Sequence, residues 1–394
     1  MSITLSNRVQ NIKPSQTLAI TARAKELRQQ GLDIIGLGAG EPDFDTPEQI
    51  KEAAIQAIRD GFTKYTAVDG IPSLKQAIVD KFKRDNNLHY ELNQILVSSG
   101  GKQSSFNLLQ ALINPGDEVI IPAPYWVSYP DMTLLAEGKP VIVPAGIEQN
   151  FKITPEQLQA AITDHTRLIF INSPSNPTGV VYSREELAGL GEVLKKHPHI
   201  FIATDDMYEH ILWTDTAFVN IVNVCPELYD RTIVLNGVSK AYSMTGWRIG
   251  YCGGPVGLIA AMKKIQSQST SNPCSISQVA AEAALNGDQE CITPMLKAFR
   301  ERHDFVVERL NKMDGVNCLE SDGTFYAFAD FRHVIASNDG INNDIELADY
   351  LLNEAKVALV PGSAFGAEGY LRISYATSME MLEQALARIA ETLG

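Results

Sequence analysis

The residues of this chain best suited to chemistry sit just past apolar runs, and they come in complementary kinds. Lys240 lies in "NGVSKAYSMTGWRIGY" (236–251), after Thr232-Ile233-Val234-Leu235, with Ser239 before it and Arg248 after it. A lysine at the desolvated end of a buried strand has a lowered pKa, so its amine can attack a carbonyl and form an imine. Arg248 offers a fixed fork for a phosphate. Asp205 ends the run "IFIAT", with Tyr208 close behind. A partly desolvated carboxylate there wants a cationic partner; a helix N-cap is the plainer alternative. "ILVSS" runs into Gly100-Gly101-Lys102. Glycines at a helix start let backbone N–H groups approach a phosphate, although a tight turn with a solvated lysine reads the same way. "RLIFIN" runs into "SPSNPTG", where prolines fix the backbone and Asn176 is the polar side chain at the turn.

An imine-forming amine, a carboxylate for a protonated pyridine nitrogen and a phosphate cradle are what a protein must supply to pyridoxal 5′-phosphate. Each feature alone is weak, and the joint case rests on four strand ends offering compatible groups. Competing nucleotide readings fail on spacing. A Walker A loop would need a glycine where Leu96 stands and a Ser or Thr where Gln103 stands. Gly36, Gly38 and Gly40 are spaced GxGxG and lead into Glu41-Pro42, not into a helix, so the dinucleotide fingerprint is absent. The five cysteines form no CxxC and the seven histidines no HxxxH or HExxH. The expectation is reduced core thiols and no metal site. A net charge of -14 argues against nucleic acid and anionic membranes as partners.

These groups must be positioned by an alternation of strands and helices. "QILVSS" (94–99), "DEVIIPA", "KPVIVPA", "RLIFINS", "HIFIATDD" (199–206) and "RTIVLNG" (231–237) read as strands, apolar for the most part along their length. Helical spacing occupies the intervals, as in "KQSSFNLLQALI" (102–113), and Ser183-Arg184-Glu185-Glu186 resembles a capping box. Such strands imply a mainly parallel sheet covered on both faces, with ligands at its carboxyl ends. After "GLIAAMKKIQSQSTSNP" (257–273) the pattern changes. One long helix is expected over 291–314, then strands in "GTFYAFADF", "VALVPG" and "YLRISYA". A helix over 14–30 is expected to pack beside this smaller α+β unit. The expected division is 1–45 as an N-terminal segment joining the smaller unit, 46–288 as the large cofactor-binding domain and 289–394 as the small domain. No apolar run reaches the roughly 20 residues of a membrane span, and residues 1–16 show no signal-peptide pattern, so the expected location is cytoplasmic.

Eight segments in order, "AGEPDFDTP", "YTAVDGIPSLKQAI", "SGGKQ", "PYWVSYP", "NSPSNPTG", "DDMYEH", "SKAYSMTGWRIGY" and "YLRISYA", resemble class I pyridoxal-phosphate-dependent aminotransferases of fold type I. The likeness is greatest to the bacterial aspartate aminotransferase subgroup and spans nearly the whole chain. It implies an α/β fold: a large domain with a mainly parallel seven-stranded sheet, plus a smaller α+β domain drawn from both termini. It also implies roles. Lys240 would bond the cofactor, Asp205 would keep the pyridine nitrogen protonated, and Tyr208 and Asn176 would reach the ring's 3-oxygen. Arg248, Ser239 and the backbone of Gly100, Gly101 and Lys102 would bind the phosphate. The stretch Gly237-Val238-Ser239 departs from relatives that place a further serine there, leaving Ser239 alone. Tyr65 would reach the phosphate of a neighbouring subunit, implying a homodimer with shared active sites. Trp126 would lie over the ring, and Arg372, helped by Gly40, would take the substrate α-carboxylate.

The resemblance implies transfer of an amino group from an amino acid to a 2-oxo acid. "SQSTSNP" holds no arginine to read a distal carboxylate, and Lys102 is the candidate for that role. That favours aspartate and 2-oxoglutarate, with prephenate or aromatic substrates as alternatives. A pyridoxal-phosphate lyase would share Lys240, Asp205 and Arg372. A DNA-binding regulator built on this fold would need a helix-turn-helix extension that the chain lacks.

Overall fold

A computed structural model describes residues 3–14 and 16–394. Its strands are β1 (Ile35–Gly36), β2 (Ile95–Ser98), β3 (Glu118–Ala123), β4 (Lys139–Pro144), β5 (Thr166–Asn172), β6 (Phe201–Asp205), β7 (Thr232–Gly237), β8 (Gly250–Gly253), β9 (Asn317–Cys318), β10 (Tyr326–Asp330), β11 (Val357–Ala358), β12 (Val360–Pro361) and β13 (Tyr370–Ser374). Seven of them form one sheet in the order β2-β8-β7-β6-β5-β3-β4. Only β8 runs against its neighbours, β2 and β7; the pairs from β7 to β4 are all parallel.

The apolar strands are buried because helices cover both faces. On one face, Leu108, Leu109, Leu258, Ile259 and Met262 pack on Leu96, Val119, Ile121, Leu168 and Leu235. On the other, Leu74, Ile78, Leu187, Leu190, Ala280 and Ala281 join Val97, Ile120, Ile169, Ile202 and Val234 in the main core. Each such Leu, Ile or Val contributes about 1.5–3 kcal/mol by leaving water, so the sheet is a rigid frame for whatever stands at its ends. The capping box at Ser183 forms, with Ser183 and Glu186 exchanging side-chain bonds at the start of helix Arg184–Lys195.

A second, four-stranded sheet has the order β12-β13-β10-β9 and is antiparallel throughout. The helix expected over 14–30 spans Gln16–Gln29, with Ser15 outside the described residues, and it packs near β1, β11 and β12. The long helix expected over 291–314 is shorter. It runs from Thr293 to Leu310, after a 3-10 turn at Gln289–Ile292. The single strand expected in "VALVPG" is two. Val357–Ala358 pairs with β1, and Val360–Pro361 pairs with β13. The chain changes sheets at Leu359, and Pro361, with no N–H, closes the second pairing. Among the described residues no helix is long and apolar enough to cross a membrane.

Candidate active site

The carboxyl ends of β5, β6 and β7, the start of helix Gly101–Leu112 and strand β13 converge on one cleft of about 440 Å³. Gly40, Gly101, Lys102, Trp126, Asn176, Asp205, Tyr208, Ser239, Lys240, Arg248 and Arg372 all line it. Gly100 stands just behind. Its φ of +92° favours glycine, and a Cβ there would lie 2.1 Å from an Arg248 nitrogen. Tyr65 is outside this group, with 93% of its surface exposed. A neighbouring hollow of about 700 Å³ shares Lys102, Val127 and Arg248 with the cleft.

Asp205 is buried. Its Oδ2 accepts a 2.6 Å bond from the Tyr129 hydroxyl, and its Oδ1 accepts a 3.4 Å bond from the Met207 N–H. Burial pushes its carboxyl up, while Tyr129, the Met207 N–H and Lys240 act the other way. Asn172 stitches two strand ends together. Its Nδ2 donates to the Asp205 carbonyl at 2.9 Å and its Oδ1 accepts from the Asn176 N–H at 2.9 Å.

Arg372 reaches across from β13. It donates to Asn176 Oδ1 at 3.0 Å and to the Gly38 carbonyl at 2.8 Å. Its guanidinium lies 4.3 Å from the Tyr326 ring centre and 5.0 Å from that of Phe365. Its Nε is buried and has no partner. A donor left this way is an invitation to a ligand acceptor, because an unmade buried bond costs about 1–3 kcal/mol.

Lys240 donates to the Gly40 carbonyl at 2.5 Å. Burial, then the positive charge of Arg372, press its pKa down to about 8, with Arg248 adding to them and Glu41 and Asp205 opposing. Arg248 has a φ of +57° and donates only to carbonyls, Thr245 at 2.8 Å and Ser99 at 3.4 Å. The Lys102 ammonium sits 5.1 Å over the Trp126 ring, its pKa lowered by burial and by Arg248. Among the described residues no carboxylate lies within 4.0 Å of the cationic nitrogens of Lys102, Lys240, Arg248 or Arg372. Four cations thus face one small cleft without a direct ion pair, against the two carboxylates that line it, Glu41 and Asp205, in a chain of net charge -14.

Sequence reasoning missed two tyrosines. Tyr129 stacks on Phe170 at 4.2 Å and donates to Asp205. It lies one helical turn past Trp126 in "PYWVSYP", a spacing that could have flagged it. Tyr326, on β10, bonds Tyr208 hydroxyl to hydroxyl at 3.1 Å.

The chain belongs to the family of class I and II aminotransferases, whose model matches residues 32–389, and it is therefore an enzyme that transfers amino groups. It is 64% identical to an aspartate/prephenate aminotransferase of Nitrosomonas europaea, over 99% of each chain. Among solved structures it is similar to the aspartate aminotransferase of Rhizobium meliloti, at 49% identity and a TM-score of 0.96, covering 100% of this chain and 99% of the other. It is also similar to that of Thermus thermophilus with maleate, at 42% identity and a TM-score of 0.93, covering 99% of this chain and 100% of the other.

Proposed function

We propose that the cleft holds pyridoxal 5′-phosphate and moves an amino group from L-aspartate to 2-oxoglutarate, giving oxaloacetate and L-glutamate in a ping-pong sequence. The cluster of four cations, none in an ion pair among the described residues and facing only two lining carboxylates, carries this reading. The donors suit the group. The glycine start beside Arg248 is a phosphate cradle, and the unpartnered Nε of Arg372 suits a carboxylate. Ser239, Arg248 and the N–H groups of Gly101 and Lys102 would hold the phosphate, whereas the Gly100 N–H expected to join them donates to the Ser98 carbonyl at 2.7 Å. Asp205 would keep the ring nitrogen protonated, Tyr208 and Asn176 would bond the 3-oxygen, and Trp126 would cover the ring. When bound, the cofactor supplies an electron sink at the substrate's α-carbon.

The chain's own residues do the rest. The Lys240 Nζ, neutral above about pH 8, would hold the cofactor by its aldehyde and would serve as base and then acid for the substrate's α-proton. Arg372 would orient the substrate by its α-carboxylate, helped by Gly40, and Lys102 would meet the distal carboxylate. The relative named for both aspartate and prephenate supports prephenate, another dicarboxylic 2-oxo acid, as a second acceptor. The same reading divides the chain near residues 45 and 288. It makes the enzyme a homodimer in which Tyr65 of the partner subunit completes the phosphate site. The exposure of Tyr65, Ile58 and Phe62 supports that pairing. Five unpaired thiols fit a cytoplasmic setting.

The test is product analysis. L-aspartate with 2-oxoglutarate should give oxaloacetate and L-glutamate; no exchange between that pair, with L-cysteine broken down to pyruvate, ammonia and hydrogen sulfide, would mark a Cβ–S lyase instead. Lys102→Ala should raise the KM for aspartate about tenfold or more while leaving that for an uncharged amino acid nearly unchanged. Equal effects on both would remove Lys102 from the specificity role.

A further inference from the structure

Tyr326 stands where two parts of the site meet and has no role in the assignment above. It is 1% exposed, and it belongs to the four-stranded sheet, whereas Tyr208 follows β6 of the seven-stranded sheet. Its two ends do different work. The hydroxyl is 3.1 Å from that of Tyr208. The ring face lies 4.3 Å under the Arg372 guanidinium, which Phe365 flanks as a second aromatic ring. Either hydroxyl can be the donor in this bond; Tyr208 has no other hydrogen-bond partner among the described contacts, so with Tyr326 as donor the Tyr208 hydrogen is free for a ligand. Burial raises the pKa of both phenols, which keeps them protonated as donors.

We propose that Tyr326 is a positioning residue that joins the two halves of the site: its hydroxyl donates to Tyr208 and turns the Tyr208 hydrogen toward the cofactor's 3-oxygen, while its ring fixes Arg372 for the substrate carboxylate. This rests on the pyridoxal-phosphate reading. A chain of two hydroxyls strengthens the terminal donor, because each bond polarises the next. A stronger donor stabilises negative charge on the 3-oxygen, which lowers the pH at which the lysine-bound cofactor loses its proton. Besides Tyr326, the charged and titratable groups facing Tyr208 are Asp205, Lys240 and Tyr129 on its own side and Arg372 from β13. Glu41 from the N-terminal segment faces Tyr326. All of them remain in the variants below.

The two ends separate by substitution. Tyr326→Phe keeps the ring and removes the hydroxyl; Tyr326→Leu removes both. The pH midpoint of the bound cofactor's visible absorbance should rise by about half a unit in Tyr326→Phe, the share of one hydrogen bond acting through another. Binding of maleate, a dicarboxylate with no amine, should be unchanged in Tyr326→Phe and weakened about tenfold in Tyr326→Leu, where the cation–π face is lost. An unmoved midpoint in Tyr326→Phe, or equal maleate binding in the two variants, overturns the proposal. A wild-type chain that takes up pyridoxal phosphate with a visible, pH-dependent band while the variants match it refutes the role of Tyr326 alone. A wild-type chain with no such band overturns the cofactor reading as well.

Discussion

Lys81 and Lys240 are both drawn at least partly out of water, and they are treated in opposite ways. Lys81, on helix Pro72–Asn86, is 1% exposed. Its ammonium donates to Glu209 and, at 2.7 Å, to Asn86 Oδ1, with Asp85 at 3.8 Å. Glu209 is satisfied in turn by Asn86 Nδ2 at 2.6 Å and Asn236 Nδ2 at 2.7 Å. Burial works against the charge on Glu209, yet Lys81, His210 and Asn86 hold its carboxyl below the usual range. Among the described residues Lys240 has one hydrogen bond, to a carbonyl, and its field sets two arginines against Glu41 and Asp205. Both lysines act around the same short stretch, since Asp205 and Tyr208 face the cleft and Glu209 faces Lys81. A closed network anchors that stretch, and an under-paired amine is left reactive beside it. Lys81 is fully buried and Lys240 only partly so, and it is incomplete pairing that leaves the Lys240 amine reactive.

Matched substitutions probe that contrast. Lys240→Met should abolish turnover, whereas Lys81→Met should leave a chain that, where folded, still turns over; detectable transamination by Lys240→Met breaks the comparison. Lys81→Met should instead lower stability by about 3–5 kcal/mol, because Glu209 is left charged and buried without its partner. Chemical denaturation measures this, and a loss under about 1 kcal/mol would show that the network is not closed.

Lys240→Met should have the opposite, smaller effect on the cofactor-free chain. The folded pKa of Lys240 lies near 8 and the unfolded value near 10.5, so between them the unfolded chain binds more protons and stability rises with pH. The penalty is full below about pH 8, and removing the amine should raise the melting temperature there and change it little above about pH 10.5. A melting temperature lowered by Lys240→Met at pH 7 would mean that the amine is paired after all. Finally, the rate at which the cofactor-free chain captures pyridoxal phosphate should rise with pH around a midpoint near 8, where the amine becomes neutral. A midpoint near 10.5 would return Lys240 to an ordinary lysine.

Much of the cleft could be read from strand ends, because a parallel sheet gathers ligands at its carboxyl edge and local patterns locate that edge. Asp205 ends β6, and Asn176 and Lys240 follow β5 and β7. Tyr326 was beyond such reading, since its place under Arg372 depends on β10 pairing with β13 and on that sheet meeting the other. The sheet change at Leu359 was hidden for the same reason: "VALVPG" has one continuous strand pattern, and only the partners differ. Lys81 did leave a signal. Leu74, Ile78, Lys81 and Phe82 share one buried face of their helix, so a charge stands within an apolar stripe. Its partner Glu209 lies 128 residues away, and no local pattern names it.

Reductive trapping addresses the contrast most directly. The cofactor-free chain is mixed with pyridoxal 5′-phosphate at pH 8, treated with borohydride, digested and mapped by mass spectrometry. The account predicts one stoichiometric adduct, on Lys240, with Lys81 and Lys102 unlabelled. A principal adduct on any other lysine, or none at all, would contradict it.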